Sequence, residues 1–577
     1  MSKTWVLSGI SVGLLFILTF FVWRPLLSPG FFTMHDDQQV ARLEQLDKSL
    51  RAGQFPVRWV ADLGFGYGYP LFNFYPPLSY YLGESIHLFF NQGFINSTKS
   101  VWFLALFGSG LTMYFLSREF FGRAGGLISA LFYVYAPYHA VDAYVRGALA
   151  ELFSFVWLPL ILLFSYKAIK GNSRQWSIWT GVALAFLMIT HNLVFLPFAG
   201  LLALWCVGIF LVYGDKRKWP YLIFHGLLFI LVSFALTAFF WLPSLWEKQY
   251  TLVDRLLITN LASYKIHFVC PAQLWNSPWG FGGSVAGCLD GMSFKLGKLH
   301  IFLAAVSFPL AIFFWFKKKK PLALFLILGL FLFAFSVFMT TDYSRFLWDH
   351  LSLLWYLQFP WRFLEFAALF SSLLAGAGFF LYNNPLLKGG IFLALAAALL
   401  WPNAKLFTPR EFLTSATDSS LTSDRQIKWY VSSTSFEYLP RGIKVVLTDK
   451  GPVLPAVTGY ENLPRKKLAV ISGDLSLGEQ KFLPDSFSFE GTSAMGARLQ
   501  INTVNFPGWQ VLIDNKETNI DDNNQLRLIT FFIPPGRHAI NGRFLDTPVR
   551  KWGNLISVLA AFCVAGLILY GTRRSKK

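Results

Sequence analysis

Acid–base chemistry at a membrane surface needs a carboxylate held at the lipid–water boundary, and one short stretch supplies two. In TMHDDQQVARLEQLDKSLRAGQFP, Thr33 to Pro56, Asp36 and Asp37 lead into an amphipathic helix. Val40, Leu43, Leu46 and Leu50 fall on one face, with the i,i+4 pairs Glu44/Lys48 and Asp47/Arg51 on the other. Two compatible readings of the pair stand open. Asp36 suits the N-cap, with Gln39 as its capping-box partner, and Asp37 suits the positive end of the helix dipole. A carboxylate facing a cavity at that boundary also suits a general base, or a ligand for Mg²⁺ or Mn²⁺.

Other charged groups stand at similar depths. YHAVDAYVRGALAELF, Tyr138 to Phe153, holds Asp142, Arg146 and Glu151 between two apolar runs. The 142/146 spacing permits a local ion pair, whereas a free Arg146 suits a phosphate oxygen. LQFPWRFLEFAALF, Leu357 to Phe370, puts Arg362 and Glu365 in the first turn of a span, where Arg362 either snorkels to water or holds a phosphate. Glu247 in WLPSLWEK and His191 in THNLVF stand at the ends of other runs. GFGYGYPLFNFYPPLSYYL, Gly64 to Leu82, carries Tyr67, Tyr69 and Tyr75. A dinucleotide fingerprint needs a helix immediately after its glycines, and Pro70 with aromatics follows instead. The stretch reads as a packed interfacial loop or as an aromatic wall for a sugar or lipid.

What positions these residues is a membrane. The chain of 577 residues is 54% hydrophobic and only 14% charged, against roughly 25% charged in soluble proteins. The formal charge of +19 is spread in short clusters between apolar runs, as in cytoplasmic loops, which argues against nucleic-acid binding. A crossing needs about 20 residues. Runs at 5–23, 101–117, 124–140, 150–167, 176–192, 193–212, 220–241, 300–316, 321–339, 360–382, 388–402 and 552–571 supply twelve. Lys3, Arg118/Arg123, Lys167 to Arg174, Lys216 to Lys218, Lys317 to Lys320, Lys388 and Arg573 to Lys577 then share one side, the cytoplasm. FYPPLSYYLGESIHLFF, with Pro76, Pro77, Glu84 and His87, is expected to lie on the outer surface without crossing.

The outer parts are then 24–100, with its interfacial helices, a turn at Asp142 to Arg146, 243–299, 340–359 and the tail 404–551. Cys270 and Cys288 share one outer loop and suit a disulfide. In the tail, ARLQINTVNFPGWQVLIDNKE and LRLITFFIPPGRHAINGRFLD alternate apolar and polar residues between turn signals at Asp514 to Lys516 and Pro534 to Gly536. A small antiparallel β domain is expected there, for support or acceptor binding. The parts divide as 1–403, a transmembrane domain; 404–551, the β domain; and 552–577, a last span with a basic tail.

The acid-led helix, the GYGYP and FYPPLSYYL loop, YVRGALAE and LQFPWRFLE together resemble the prokaryotic membrane-protein family known as 6-pyruvoyl-tetrahydropterin synthase-related. No pterin-synthase zinc spacing is present. The order of parts also resembles the C-type glycosyltransferases (GT-C), and FYPPLSYYL is similar to their second interfacial helix, where a KPPLYYWL-like sequence is usual. Phe74-Tyr75 stand here where a basic residue is common. FPGWQVLIDNK with PPGRHAI is similar to the terminal β module of another GT-C-like group.

The resemblance implies a polytopic α-helical membrane protein of about 12 transmembrane helices, GT-C-like, with a C-terminal extracytoplasmic β domain. It would sit in the plasma membrane with both termini cytoplasmic. It implies transfer of a sugar, with inversion, from a polyprenyl-phosphate donor to a glycan, lipid or protein acceptor. Asp36 would be the base, Asp37 an orienting group or metal ligand, and Asp142 a second acid; Arg146 and Arg362 would hold the departing phosphate. Tyr67, Tyr69, Tyr75, Glu151, His191, Glu247 and Glu365 are expected around the substrate cavity. The competing expectation is a protein that binds or moves a lipid-linked glycan without chemistry. No clear internal repeat marks a transporter, and the ionisable residues gather at the outer boundary, which favours chemistry there.

Overall fold

Apolar runs of this length become helices because a backbone in hydrocarbon must satisfy its own hydrogen bonds. The computed structural model describes residues 3–257, 263–448 and 451–575. Lys576 and Lys577 of the basic tail, and residues 258–262 of the 243–299 loop, lie outside the described residues. Among the described residues nine helices are long and apolar enough to cross a bilayer. A pair bent by 51°, Gly9–Leu18 and Phe20–Leu27, makes a tenth. Its bend falls at Thr19, whose hydroxyl donates to the Leu15 carbonyl at 2.8 Å.

Two local features account for the remaining expected spans. Phe94–Val134, 41 residues, breaks at Gly122, where φ is 71°. The chain doubles back there: the Cβ position of Gly126 lies 3.0 Å from the Tyr114 carbonyl, and that of Gly110 lies 2.7 Å from Val134. Arg174–Thr190 has 17 residues, about 26 Å at 1.5 Å per residue, a short crossing. The protein is thus a multi-pass helical membrane protein. Leu78–Phe90 does not cross, since its 13 residues reach only about 20 Å. It starts after Pro76-Pro77 and leaves Leu88, Phe89 and Phe90 exposed at its end.

The acid-led helix is Gln39–Arg51, and it buries Val40, Leu43 and Leu46. Arg51 and Asp47 pair at 2.6 Å. Two expectations are corrected. Gln38, not Asp36, occupies the N-cap position, because Asp36 is held elsewhere: its amide donates to the Arg146 carbonyl at 2.8 Å. The Gln39 amide bridges the carbonyls of Asp36 (3.3 Å) and Gly147 (3.0 Å) instead of closing a capping box. Lys48 pairs with Asp62 of the following loop rather than with Glu44, as that loop folds back over the helix and buries Asp62.

The tail is β-rich. Strand β1, Phe31–Phe32, pairs antiparallel with β2, Phe412–Leu413, joining the first loop to the start of the tail. The hairpin β3, Val446–Thr448, and β4, Gly451–Val453, follows. The domain proper comprises β5, Leu468–Gly473, β6, Ser476–Leu483, β7, Ser486–Ser493, β8, Ala497–Val504, β9, Trp509–Ile513, β10, Lys516–Thr518, β11, Leu528–Ile533, and β12, Gly536–Phe544. One sheet runs β10-β9-β12-β7-β6 and the other β11-β8-β5. Phe487, Phe489, Val511 and Ile540 of the first sheet share a core with Leu499, Ile501, Ile529 and Phe531 of the second. Asp514 and Asn515, at φ 49° and 63°, make the tight β9–β10 turn that twisted hairpins favour. Pro534-Pro535 closes no hairpin. It hands the chain from one sheet to the other, since β11 pairs with β8 and β12 with β7 and β9.

The same core takes in Leu43, Leu46, Trp59, Tyr69 and Phe74 of the first loop. Trp59 is fully buried, its ring 5.4 Å from Trp509 and 4.8 Å from Phe544. Such a side chain stabilises by about 3 kcal/mol through area alone. Buried charge fixes the last helix, Pro548–Ser575, against Ala238–Glu247. Arg550, with no exposed surface, donates to Glu247 at 2.9 and 3.0 Å, and Glu247 also accepts from Thr547 (2.6 Å) and Asn73 (2.7 Å). Removing one member of such a pair strands the other. Glu247→Ala is therefore expected to cost about 3–5 kcal/mol, read as a lower unfolding midpoint in detergent. Glu247→Met with Arg550→Met is expected to recover much of that loss. A single variant that melts with the unsubstituted protein would contradict this role.

Candidate functional site

The turn after the Gly122 hairpin builds the site. Asp142 and Arg146 lie on one wide helical turn, Val141–Arg146, ended by Gly147 at φ 69°. A Cβ at Gly147 would stand 2.2 Å from the Met34 sulfur, so only glycine lets the Asp36 segment approach this closely. The His35 amide donates to the Val145 carbonyl (3.1 Å) and the Asp36 amide to the Arg146 carbonyl. The backbone thus places the Asp36 side chain beside Arg146.

Two cavities meet at that point. One, of about 560 Å³, has an apolar wall that includes Phe195, Leu196, Phe234, Trp241, Leu245 and Leu353. Leu245 and Leu353 are 61% and 59% exposed, so this wall opens onto the helix surface. The other, of about 540 Å³, is more polar, with His35, His267, Ser284 and Phe436 in its wall. Asp36, Arg146, Gln358, Arg362, Thr434 and Glu437 line both and form the seam between them. A third cleft of about 540 Å³, walled by Arg441, Trp509 and Arg527, contains none of these residues. It lies beyond the short ladder in which Leu252 and Arg441 donate to Leu439 and Tyr250.

A buried ion network backs the seam. Arg146 pairs with Asp142, and with Glu151 at 2.8 and 2.9 Å. Its guanidinium lies 4.7 Å from the Trp361 ring centre. Tyr138 donates to Glu151 at 2.6 Å. Glu151 also faces Arg362 at 3.3 Å, and Arg362 donates through Nη1 to the Leu357 carbonyl at 2.8 Å. Arg146 therefore spends its donors on two acids and brings mainly charge and position. Arg362 Nη2 has no hydrogen bond among the described residues, which leaves it the better placed of the two to take an oxyanion.

The remaining sequence candidates separate clearly. Glu151, His191 and Tyr75 line the larger cavity. His191 also caps the helix Asn192–Tyr213, accepting from the Val194 amide at 3.0 Å. Asp37 is exposed and lines neither cavity. Asp142 is wholly buried behind Arg146, and Glu365 lies deeper still, bonded by Ser154 at 2.5 Å. Tyr67 and Tyr69 are buried in packing; the Tyr69 hydroxyl donates to the Ser435 carbonyl at 2.9 Å, and the Tyr67 carbonyl accepts from Val504 at 3.0 Å. Glu247 belongs to the Arg550 pair, because the last helix packs over the end of its span. The cavity expectation for Tyr67, Tyr69, Glu247 and Glu365 is thus replaced by structural contacts. Cys270 and Cys288 are bonded, with Cα atoms 5.7 Å apart. The loop they close contributes Gly283 and Ser284 to the polar cavity, and its Phe281 carbonyl accepts from the His35 ring at 2.9 Å.

Among the described residues no three His, Cys, Asp or Glu side chains converge as a metal-ligand set. Only one carboxylate of the Asp36–Asp37 pair faces the cavities. The described residues at the seam therefore do not fit a resident protein-only cation site.

Arg42, Lys248, Gln358 and the tail residues Thr434, Ser435, Glu437 and Tyr438 also line the larger cavity, and sequence reasoning missed them. One signal was legible: Arg42 falls on the apolar side of the acid-led helix, where a guanidinium is out of place. Enclosure in the cavity raises the Glu437 carboxyl above its usual range, against the pull of Arg42.

No protein-family model and no curated protein matches this chain. Among solved structures it is similar to ArnT from Cupriavidus metallidurans bound to undecaprenyl phosphate, at 13% identity and a TM-score of 0.38, covering 75% of this chain and 70% of that one. It is similar to the Archaeoglobus fulgidus oligosaccharyltransferase at 13% identity and 0.40, over 70% of this chain but 56% of that one. It is also similar to the arabinofuranosyltransferase AftD from Mycobacteria at 14% identity and 0.41, over 71% of this chain but 27% of that one. At these scores the likeness carries neither residues nor activity across.

Proposed function

We propose that this protein is a membrane glycosyltransferase that moves a sugar from a polyprenyl-phosphate donor to an acceptor on the outer face of the plasma membrane. One observation carries the reading: Asp36, Arg146 and Arg362 meet at the seam between an apolar cavity open to the helix surface and a polar one. A donor that is half lipid and half sugar phosphate needs that combination. The polyprenyl chain lies along Phe195, Phe234, Trp241 and Leu245, and its phosphate sits at Arg362, with Arg146 behind it. The acceptor, a glycan, lipid or protein hydroxyl, enters through the polar cavity. The motif resemblance to the 6-pyruvoyl-tetrahydropterin synthase-related family and to GT-C enzymes points the same way.

In the reaction Asp36 takes the proton of the acceptor hydroxyl as its oxygen bonds to the anomeric carbon. The bond from that carbon to the phosphate oxygen breaks, and its electron pair leaves with the phosphate. Attack from the face opposite the phosphate inverts the centre. Arg362 stabilises the charge growing on the leaving oxygen.

The test uses full-length protein in nanodiscs with a panel of labelled polyprenyl-phosphate sugars, with and without chelator. Transfer from at least one donor is expected, and no turnover with any would favour a protein that only binds or moves lipid-linked glycans. Asp36→Asn is expected to lower transfer by roughly 100-fold or more without weakening affinity for the bare carrier. Arg362→Gln is expected to weaken carrier binding by roughly tenfold or more. Unchanged transfer in the first or unchanged binding in the second would contradict the assigned role.

A further inference from the structure

The larger cavity has a second pole away from Arg362. Where the helix Gln39–Arg51 meets the tail segment around Ser435, Arg42 is only 2% exposed. Its Nη2 donates to the Ser435 hydroxyl at 2.8 Å, and its guanidinium lies 4.2 Å from the Tyr75 ring centre. Among the described residues its Nε and Nη1 are buried without a well-aligned hydrogen bond, with the Tyr80 hydroxyl close by, and Arg42 makes no ion pair. A buried donor left unmade costs about 1–3 kcal/mol, and more on a charged group. Such a group is tolerated where something else supplies the acceptor.

The neighbours indicate what that is. Glu437 lines the same cavity, and among the described residues its carboxylate has just its own amide and the Ser435 hydroxyl, the latter at a long 3.4 Å. Phe74 and Tyr438 stack at 5.5 Å and 8°, and both line the cavity beside Tyr75. Unmade donors, an acceptor with spare capacity and aromatic rings suit the hydroxyls and the apolar face of a sugar ring. A polyprenyl tail needs none of them, and the phosphate has its own pole. Charge narrows the choice. Four cations line the cavity, but Arg146 and Arg362 face Glu151 and Lys248 faces Asp254. Arg42 is the cation that acts on Asp37 and Glu437, so an acidic sugar at this pole would bring a further anion beside them.

We propose that Arg42, Glu437 and Tyr75 seat the transferred sugar, and that this seat takes an uncharged sugar and rejects a uronic acid. The inference rests on the glycosyl-transfer reading above and adds the sugar's place and class. Arg42 donates to ring hydroxyls, Glu437 accepts from them, and the ring lies with its anomeric carbon toward Asp36 and Arg362. The tail, through Glu437, sets sugar specificity.

Equilibrium binding to the full-length protein in nanodiscs tests this, with three probes: bare undecaprenyl phosphate, the same carrier bearing glucose, mannose or galactose, and the carrier bearing glucuronic acid. At least one uncharged sugar is expected to raise affinity over the bare carrier by roughly tenfold, and glucuronic acid is not. Arg42→Gln and Glu437→Gln are expected to lose that gain, read within each variant as the ratio of sugar-carrier to bare-carrier affinity. Glu437→Gln is also expected to improve relative binding of the glucuronate carrier. Glu437→Gln is isosteric, so it carries the test if the Arg42 variant misfolds. The seat is overturned if both variants keep the gain, if no uncharged sugar produces one, or if glucuronic acid binds best. Failure of the unsubstituted protein to bind even bare carrier would instead overturn the carrier-phosphate reading.

Discussion

Two guanidiniums, those of Arg146 and Arg362, sit in a low-dielectric wall beside the acids that hold them. Glu151 stands between Arg146 and Arg362, and Asp142 holds Arg146 from the other side. Removing ions from water costs several kcal/mol each unless geometry repays it. The network therefore fixes where both arginines can be. Once Arg146 is fixed, its carbonyl fixes the Asp36 amide, and Gly147 allows the contact. The position of the carboxylate at the seam follows from buried charge two elements away.

The second constraint is the tail. Thr434, Ser435, Glu437 and Tyr438 wall the larger cavity, so the site is incomplete without residues about 400 positions from Asp36. That segment is placed by several anchors on the first loop: the β1–β2 pairing, the Tyr69 bond to Ser435, and the Trp59 packing on the sandwich. The Arg550–Glu247 pair sets the last helix. The β domain is thus part of the site's wall as well as its support.

Much of this was legible in the chain. The spans follow from apolar length, the non-crossing helix from its prolines and short run, and the β domain from alternation and turns. Asp36, Arg146 and Arg362 stood out because charge near hydrocarbon is costly and must be explained. What was not legible depends on distant partners. Glu247 looks free at the end of its span because Arg550 lies some 300 residues on. The N-cap at Asp36 fails because a carbonyl in another turn takes its amide. Glu437, in a stretch without periodicity, carries no local mark. Arg42 did carry one, a charge on the apolar face of its helix.

The central claim is that Arg362 and Asp36 face one bound lipid phosphate from the two sides of a single seam. A structure of the full-length protein with bare undecaprenyl phosphate tests it most directly. The account predicts the phosphate within about 4 Å of the Arg362 guanidinium, its chain along Phe195, Trp241 and Leu245, and the Asp36 carboxylate facing it across the seam. A phosphate held elsewhere, for example at the exposed lysines Lys317 to Lys320, with the seam empty, would contradict it.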